Sequence, residues 1–303
     1  MIHFTPLTLK EKSKLDSFLI PNGNRGCEYN FANLSLWGRQ QVAIVEGNLA
    51  FFSQFNRKSV YLFPVGPNDL KPTLDAIIQD AHKRGIPCRL TSLSKADCDF
   101  LNSLYPGKFR FHPDRSHFDY IYSIDDLAEL KGRKFQKKRN HINRFSGLFP
   151  NYSVTQISRD TLPLVESLLD TWYREYFEGH PDADLYMEQV AIKKALSQQE
   201  ELKMEGMVLL HDGKALAMTM GSRLSPDTFD IHFEKALESA EGAYNVINQA
   251  FARYLRIAYP ELKWLNREDD LGLEGLRKAK LSYCPDHLIE KYWAVLMEDG
   301  YDY

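Results

Sequence analysis

Residues 41–65 and 204–235 each read as three short strands folded back on one another, and each stretch is followed by an amphipathic helix and a further short strand. In the first, the runs Gln41-Val42-Ala43-Ile44-Val45, Leu49-Ala50-Phe51-Phe52 and Val60-Tyr61-Leu62-Phe63 are separated by Gly47-Asn48 and by the polar residues 56–59. Apolar runs of this length between turn residues are hairpin strands. In the second, Asp212-Gly213 and Ser225-Pro226-Asp227 make the turns between strands at 204–211, 215–223 and 228–235. A meander followed by a helix is thus written twice, without residue-level repetition, and that restricts the chain to two copies of one α+β architecture.

The remaining elements fit the same plan. Leu70, Leu74, Ile77, Ile78 and Ala81 recur at spacings of three and four and stop at Gly85, predicting a helix over 69–84. A strand over 87–91, a helix capped by Ser94 and a strand over 117–124 follow. In the second half, a strand over 152–157 and helices over 160–177 and 185–196 precede the meander. Ala243, Val246, Ile247, Ala250, Phe251, Tyr254, Leu255 and Ala258 then line one face of a helix. A strand at 262–265, a helix at 273–281 and a strand at 289–297 close the chain. With 303 residues, two domains are expected, 1–145 and 146–303, the second carrying the site.

The composition excludes several classes. No run reaches the roughly 18 apolar residues of a membrane helix, and the first residues lack a secretory leader, so a cytoplasmic protein is expected. Cys27, Cys88, Cys98 and Cys284 are scattered, which argues for buried free thiols rather than a disulfide framework or a zinc knuckle. The net charge of −3 conceals a basic segment: residues 131–145 hold seven Lys and Arg and no acid, and removing those seven takes the remainder to −10.

Three constellations carry candidate chemistry. Strand periodicity puts Asp230, His232 and Glu234 on one face, with Ile231 and Phe233 on the other. A carboxylate beside an imidazole can set its tautomer and take a proton from an attacking amine or hydroxyl. The same three residues also suit ordinary hydrogen bonding on an antiparallel sheet; no second motif supports a metal site, and none is expected. In the basic segment, Arg133, Lys134, Lys137, Lys138, Arg139 and Arg144 on a helix would attract phosphates of RNA, lipid headgroups or a nucleotide, or form a solvated face. The stretch 266–285 packs Arg267, Glu268, Asp269, Asp270, Arg277 and Lys280 around two glycines. Arg277 and Lys280, three apart, would clamp a phosphate or carboxylate, and the acids would hold a cationic amine. An internal salt-bridge network bracing a loop would leave the same pattern.

Cys27-Glu28-Tyr29, Phe31-Ala32-Asn33-Leu34 with Trp37, Asp119-Tyr120-Ile121-Tyr122, residues 131–134 and 137–141, His232-Phe233-Glu234-Lys235-Ala236, Gly242-Ala243-Tyr244 and residues 266–285 together resemble a known family. It is the group of uncharacterised bacterial proteins classed with the phosphatidylglycerol lysyltransferase C-terminal domain. The resemblance implies tandem GNAT-like (acyl-CoA N-acyltransferase) folds, each a mixed, mainly antiparallel sheet flanked by helices, related to Fem-type aminoacyl transferases. It further implies an acyl or aminoacyl transferase whose donor is aminoacyl-tRNA or acyl-CoA and whose acceptor is an amine or hydroxyl, a lipid headgroup among them. Glu234, or His232 oriented by Asp230, would be the base. The alternative is a non-catalytic module that binds RNA or an anionic ligand through residues 131–145.

Overall fold

The computed structural model describes residues 1–37, 40–55, 58–180 and 185–297, apart from the side chains of Arg25 and Phe55; part of the turn expected at 56–59 lies outside the described residues. The first sheet begins with β1 (Thr5–Pro6), reached before helices α1 (Lys12–Leu19) and α2 (Phe31–Leu36). The first meander follows as β2 (Gln40–Val45), β3 (Asn48–Phe55) and β4 (Lys58–Val65), all antiparallel. Helix α3 (Leu70–Arg84) then crosses over so that β5 (Arg89–Leu93) lies parallel to β4. A parallel pair requires such a crossover because a tight turn cannot reverse twice.

Local signals set the helix ends. The Asp69 side chain accepts from the Lys71 N–H at the start of α3, and Gly85 ends it in the left-handed region at φ 65°. In α4 (Lys95–Leu104), the Ser94 hydroxyl accepts from the Asp97 N–H while the Asp97 carboxylate accepts from the Ser94 N–H, a reciprocal cap. Leu74, Ile77 and Ala81 of α3 pack with Phe63, Leu90 and the buried thiols of Cys88 and Cys98 in the core of this sheet. Strand β6 (Phe109–Pro113) completes the run.

The second sheet repeats the order. After β7 (Asp119–Ser123), α5 (Ile124–Glu129), α6 (Gln136–Leu148), β8 (Ser153–Gln156) and helices α7 (Leu162–Gly179), α8 (Tyr186–Ser197) and α9 (Gln199–Leu202) comes the second meander. It consists of β9 (Met204–His211), β10 (Lys214–Arg223) and β11 (Thr228–Ala236), followed by α10 (Ala243–Ala258) and a parallel β12 (Trp264–Asn266). Helix α10 buries Ala243, Val246, Ile247, Phe251 and Leu255, as its periodicity requires, while Ala258 at its last turn is exposed. Gly242 precedes α10 at φ 94°, and a Cβ there would lie 2.7 Å from the His141 carbonyl oxygen, so glycine lets the start of α10 close on α6.

The expected division at 145/146 differs from the units the fold makes. The strand orders are β1-β2-β3-β4-β5-β14-β6 and β13-β7-β12-β11-β10-β9-β8, where α11 (Glu274–Leu281), β13 (His287–Ile289) and β14 (Tyr292–Leu296) end the chain. One unit comprises residues 1–119, 268–277 and 288–303; the other comprises 120–267 and 278–287. Each sheet takes the strand beside its parallel pair from the other half of the sequence: β14 pairs with β5, and β7 pairs with β12. An edge strand needs a hydrogen-bonding partner, but nothing in its own residues says which distant segment supplies it.

Within the first unit the captured end is tied down by a buried ion cluster. Lys291 Nζ lies 2.6 Å from Asp119 Oδ1 and 2.7 Å from Glu28 Oε2, and it donates to Cys27 Sγ at 3.5 Å. The Cys27 N–H donates to Asp119 Oδ2 at 2.8 Å. Gly26, at φ 138°, leaves room for the ammonium stem, since a Cβ there would come within 2.7 Å of Lys291 Cε. Burial alone would strip Lys291 of its proton, but the charge of Asp119 outweighs it and holds the ammonium well above the ordinary lysine range. Burial, reinforced by Asp119, pushes the Cys27 thiol up, so it stays protonated. Lys291→Met is expected to lower the unfolding free energy by about 3–5 kcal/mol in urea titrations, because it leaves the Asp119 carboxylate buried without its counter-charge; an unchanged midpoint would show that the cluster does not hold the strand.

Candidate active site

Strand β11 alternates as expected, but its three titratable side chains do not act as one group. Asp230 is fully buried, which rules out a solvated sheet face. Asp230 Oδ2 and His232 Nδ1 are 3.7 Å apart, beyond hydrogen-bond distance, and the imidazole is held through Nε2 by Ser222 Oγ at 2.8 Å. The close contact of the His232 ring is thus with the Ser222 hydroxyl, which can donate to Nε2 or accept from it. Glu234 turns elsewhere.

The Glu234 carboxylate is gripped from two sides. Arg267, just past the end of β12, donates to Oε2 from Nε at 2.9 Å and from Nη2 at 2.6 Å. Asn248 of α10 donates to Oε1 at 3.3 Å. The guanidinium lies 4.8 Å from the ring centre of Tyr283 and 5.5 Å from that of Tyr122, and Asn245 donates to the Tyr283 hydroxyl at 2.5 Å. Burial would lower the Arg267 pKa, but the Glu234 charge more than compensates, so the guanidinium stays charged. Two polar atoms flanking this carboxylate, Arg267 Nη1 and Asn248 Oδ1, are buried without a hydrogen-bond partner among the described residues, and so is Thr219 Oγ1 on the strand position opposite Glu234. A buried donor and a buried acceptor left open on either side of one carboxylate are what a bound polar group would satisfy.

The basic segment does not form a uniform stripe. Lys134 pairs with Asp126 at 2.6 Å and Arg144 with Glu241 at 2.9 Å, while Arg139 donates to the carbonyls of Leu130 and Gly132. Lys138 donates to Ser282 Oγ at 2.7 Å and stands 3.7 Å over the Tyr283 ring. Burial, with the neighbouring Arg267 charge, brings its pKa down to about 8. Arg133 and Lys137 are exposed and have no partner among the described residues.

The closing stretch divides between brace and site. Arg277 grips Asp270 with Nε at 2.8 Å and Nη2 at 3.0 Å, and Arg115 adds a third contact at 3.1 Å. Asp270 is fully buried, so it braces the turn at Gly272 rather than receiving an external amine. Lys280 is buried and donates to the Arg267 carbonyl, while its own carbonyl accepts from the Tyr122 hydroxyl at 2.9 Å. Arg277 and Lys280 are thus spent on different partners, which corrects the expected clamp; Lys280 instead fixes the backbone of Arg267. Glu268 accepts from Asn33 at 3.0 Å. Cys27, Glu28 and Asp119 place donor atoms within 4.8 Å of one another, but the Lys291 ammonium already fills that space.

Sequence reasoning missed Asn248, Asn245, Tyr122 and Tyr283. The two amides of α10 are three residues apart near its start, where they interrupt the buried face of the helix, and that interruption was the available signal. The tyrosines carry no signal in isolation.

Residues 22–295 match the family described as phosphatidylglycerol lysyltransferase, C-terminal. The chain belongs to that family. A solved protein of unknown function from Bacteroides thetaiotaomicron is similar over 98% of this chain and 100% of its own, with 37% identity and a TM-score of 0.92. The C-terminal domain of a putative lysylphosphatidylglycerol synthetase from Agrobacterium fabrum shares the fold at 15% identity and a TM-score of 0.68, over 96% of this chain and 93% of its own. A tandem GNAT protein from the clavulanic acid biosynthesis pathway does so at 10% identity and 0.50, over 99% and 100%. The architecture is therefore tandem GNAT-like, an aminoacyl-transferase-like fold of mixed sheets flanked by helices. No helix of the described residues is long and apolar enough to cross a membrane.

Asp269 supplies a titration test of the closing stretch. Burial, with the charges of Asp119 and Glu268 and against that of Lys291, raises its carboxyl to about 7. The folded state then binds a proton that the unfolded chain, with a pKa of about 3.9, releases. Its contribution is fully present below about pH 4 and is lost as pH rises through 7. Asp269→Asn is expected to flatten the decline of unfolding free energy between pH 4 and 8 relative to the wild type; parallel pH curves for the two proteins would refute the assignment.

Proposed function

We propose that this chain transfers an aminoacyl or acyl group from an activated ester to an amine or hydroxyl acceptor, at the Glu234–Arg267 site. The observation that carries the reading is the carboxylate held between Arg267 and Asn248, with the Nη1 donor and the Oδ1 acceptor left open beside it. In this reaction the acceptor nitrogen or oxygen attacks the ester carbonyl, and negative charge collects on the carbonyl oxygen. Arg267 Nη1 supplies a fixed donor for that charge, in a setting where a preorganised hydrogen bond counts for more than in water. Glu234 receives the acceptor proton and returns it to the departing atom of the donor, the ribose oxygen of a tRNA ester or the sulfur of a CoA thioester. Asn248 Oδ1 is placed to accept from an amino group of the transferred unit.

The donor is an aminoacyl-tRNA or an acyl-CoA, and the family description makes a lysyl group and the hydroxyl of phosphatidylglycerol the first pair to try. Lys138, next to Arg267, adds positive charge where donor phosphates would approach. Arg133 and Lys137, exposed and without a partner among the described residues, favour a second reading in which the chain binds RNA without catalysis.

Transfer assays with lysyl-tRNA and with acyl-CoA, each offered amine and phosphatidylglycerol acceptors, distinguish the two. Glu234→Gln is expected to cut turnover by about 10² or more, and Arg267→Lys to reduce it by a similar factor through loss of the Nη1 donor. Melting curves check that both variants remain folded. Full turnover in Glu234→Gln would remove the assigned base, and tRNA binding without transfer from any donor would favour the non-catalytic reading.

A further inference from the structure

The first unit holds a cavity of about 190 Å³ that no residue assigned to the transfer reaction lines. Ser53, Val60, Leu62 and Thr91 supply its sheet side, alternating along β3, β4 and β5 with Phe52, Tyr61 and Leu90, which pack with α3. Asn33 and Leu34 of α2 line it as well, together with Glu28, Asp114, Lys291 and Trp293. The charge of this lining is acidic. Asp119, outside the lining, already matches the Lys291 ammonium at 2.6 Å, so the Glu28 carboxylate, 2.7 Å from the same ammonium, is in surplus. Asp114 adds a second carboxylate. Burial would raise it, but hydrogen bonds from Ser116, from His117 and from the Trp293 indole at 2.8 Å hold it below the ordinary range.

The open polar groups of the cavity are mostly acceptors. Asn33 donates its Nδ2 to Glu268 at 3.0 Å, which leaves its side-chain carbonyl oxygen without a partner among the described residues. The Ser53 hydroxyl, in a residue only 8% exposed, has none either, and the same holds for the Thr91 hydroxyl and the Gln40 amide. A buried hydroxyl left open on a cavity wall is a group that a bound ligand satisfies.

We infer that this cavity binds a small organic cation, a primary ammonium on a short aliphatic stem, as a ligand that is not itself transferred. The three N–H donors of an ammonium match the surplus carboxylate, the Asn33 carbonyl and the hydroxyls, and its charge offsets the acidic lining. Leu34, Val60 and Leu62 give the stem an apolar surface. At about 30 Å³ per water-sized unit, the volume takes about six heavy atoms, the size of a butylamine or a diaminobutane. Lys291 and Trp293 sit at the start of β14, so an occupant adds contacts between this last strand and β3, β4 and β5 and stabilises the first sheet.

Calorimetric titration of the full chain at pH 7 with n-butylamine, 1,4-diaminobutane, tetramethylammonium, 1-pentanol and butyrate tests it. One of the two primary amines is expected to bind about tenfold or more tighter than tetramethylammonium, which carries the charge without N–H donors, and tighter still than the alcohol or the anion. Ser53→Ala/Thr91→Val, which removes two open hydroxyls, should weaken the amine by about threefold to tenfold. Gln40→Lys, which adds a like charge at the lining, should abolish its binding, and melting curves without ligand check that both variants fold. Hydrogen exchange of the β14 amides should slow in the presence of the amine. Glu234→Gln should keep the wild-type affinity; a loss there would move the amine to the transfer site and overturn the inference. No binding of either amine, equal or tighter binding of tetramethylammonium or butyrate, wild-type affinity in Gln40→Lys, or unchanged exchange in β14 would overturn it as well.

Discussion

The Lys291 ammonium, shared by Asp119 and Glu28, is the contact on which the first unit depends. Its three participants come from near the start, the middle and the end of the chain, and they fix β14 in the sheet made by the first meander. A buried ammonium against the fully buried Asp119 carboxylate, with the half-buried Glu28 beside it, is costly to break, which holds the start of the last strand in place. The exchange is reciprocal along the sequence: β14 lies beside β5 in the first sheet, and β7 pairs with β12 in the second.

The second sheet uses the same kind of pairing for a different end. Arg267 emerges from β12 with its backbone held by Tyr120 and Lys280, and its side chain reaches the carboxylate of Glu234. Most of the charge in residues 266–285 supports that arrangement or braces the turn at Asp270, which leaves few groups free for a ligand. Dense charge after a strand is therefore not one site but a scaffold that presents one arginine. The basic segment behaves similarly, since ion pairs and carbonyls consume several of its cations and leave Lys138 beside Arg267.

How much of this was legible depends on the range of each interaction. Both meanders, the crossover helices and the α4 cap are dictated by neighbours within a few residues, and they occur close to where periodicity places them. Glu234 was legible as a titratable group on the correct face of β11, but Asp230 and His232 share that face without sharing its partner. Strand alternation specifies a side, whereas a hydrogen bond needs a distance. Arg277 and Lys280 fail as a clamp for the same reason: three residues of helix bring two cations near each other, yet each finds a different partner earlier in the same stretch, Asp270 and the Arg267 carbonyl.

The sequence by itself determined a doubled α+β architecture, the course of its long helices, and the burial of Cys88 and Cys98. Those properties rest on local sterics, capping and hydrophobic periodicity, all encoded within short windows. Only the tertiary structure decided which strand closes each sheet, which cations remain unpaired, and that Asn248 and Arg267 meet on Glu234. These depend on which residues, far apart in sequence, compete for the same charge or hydrogen bond once buried, and that competition is resolved by position in space rather than by spacing along the chain.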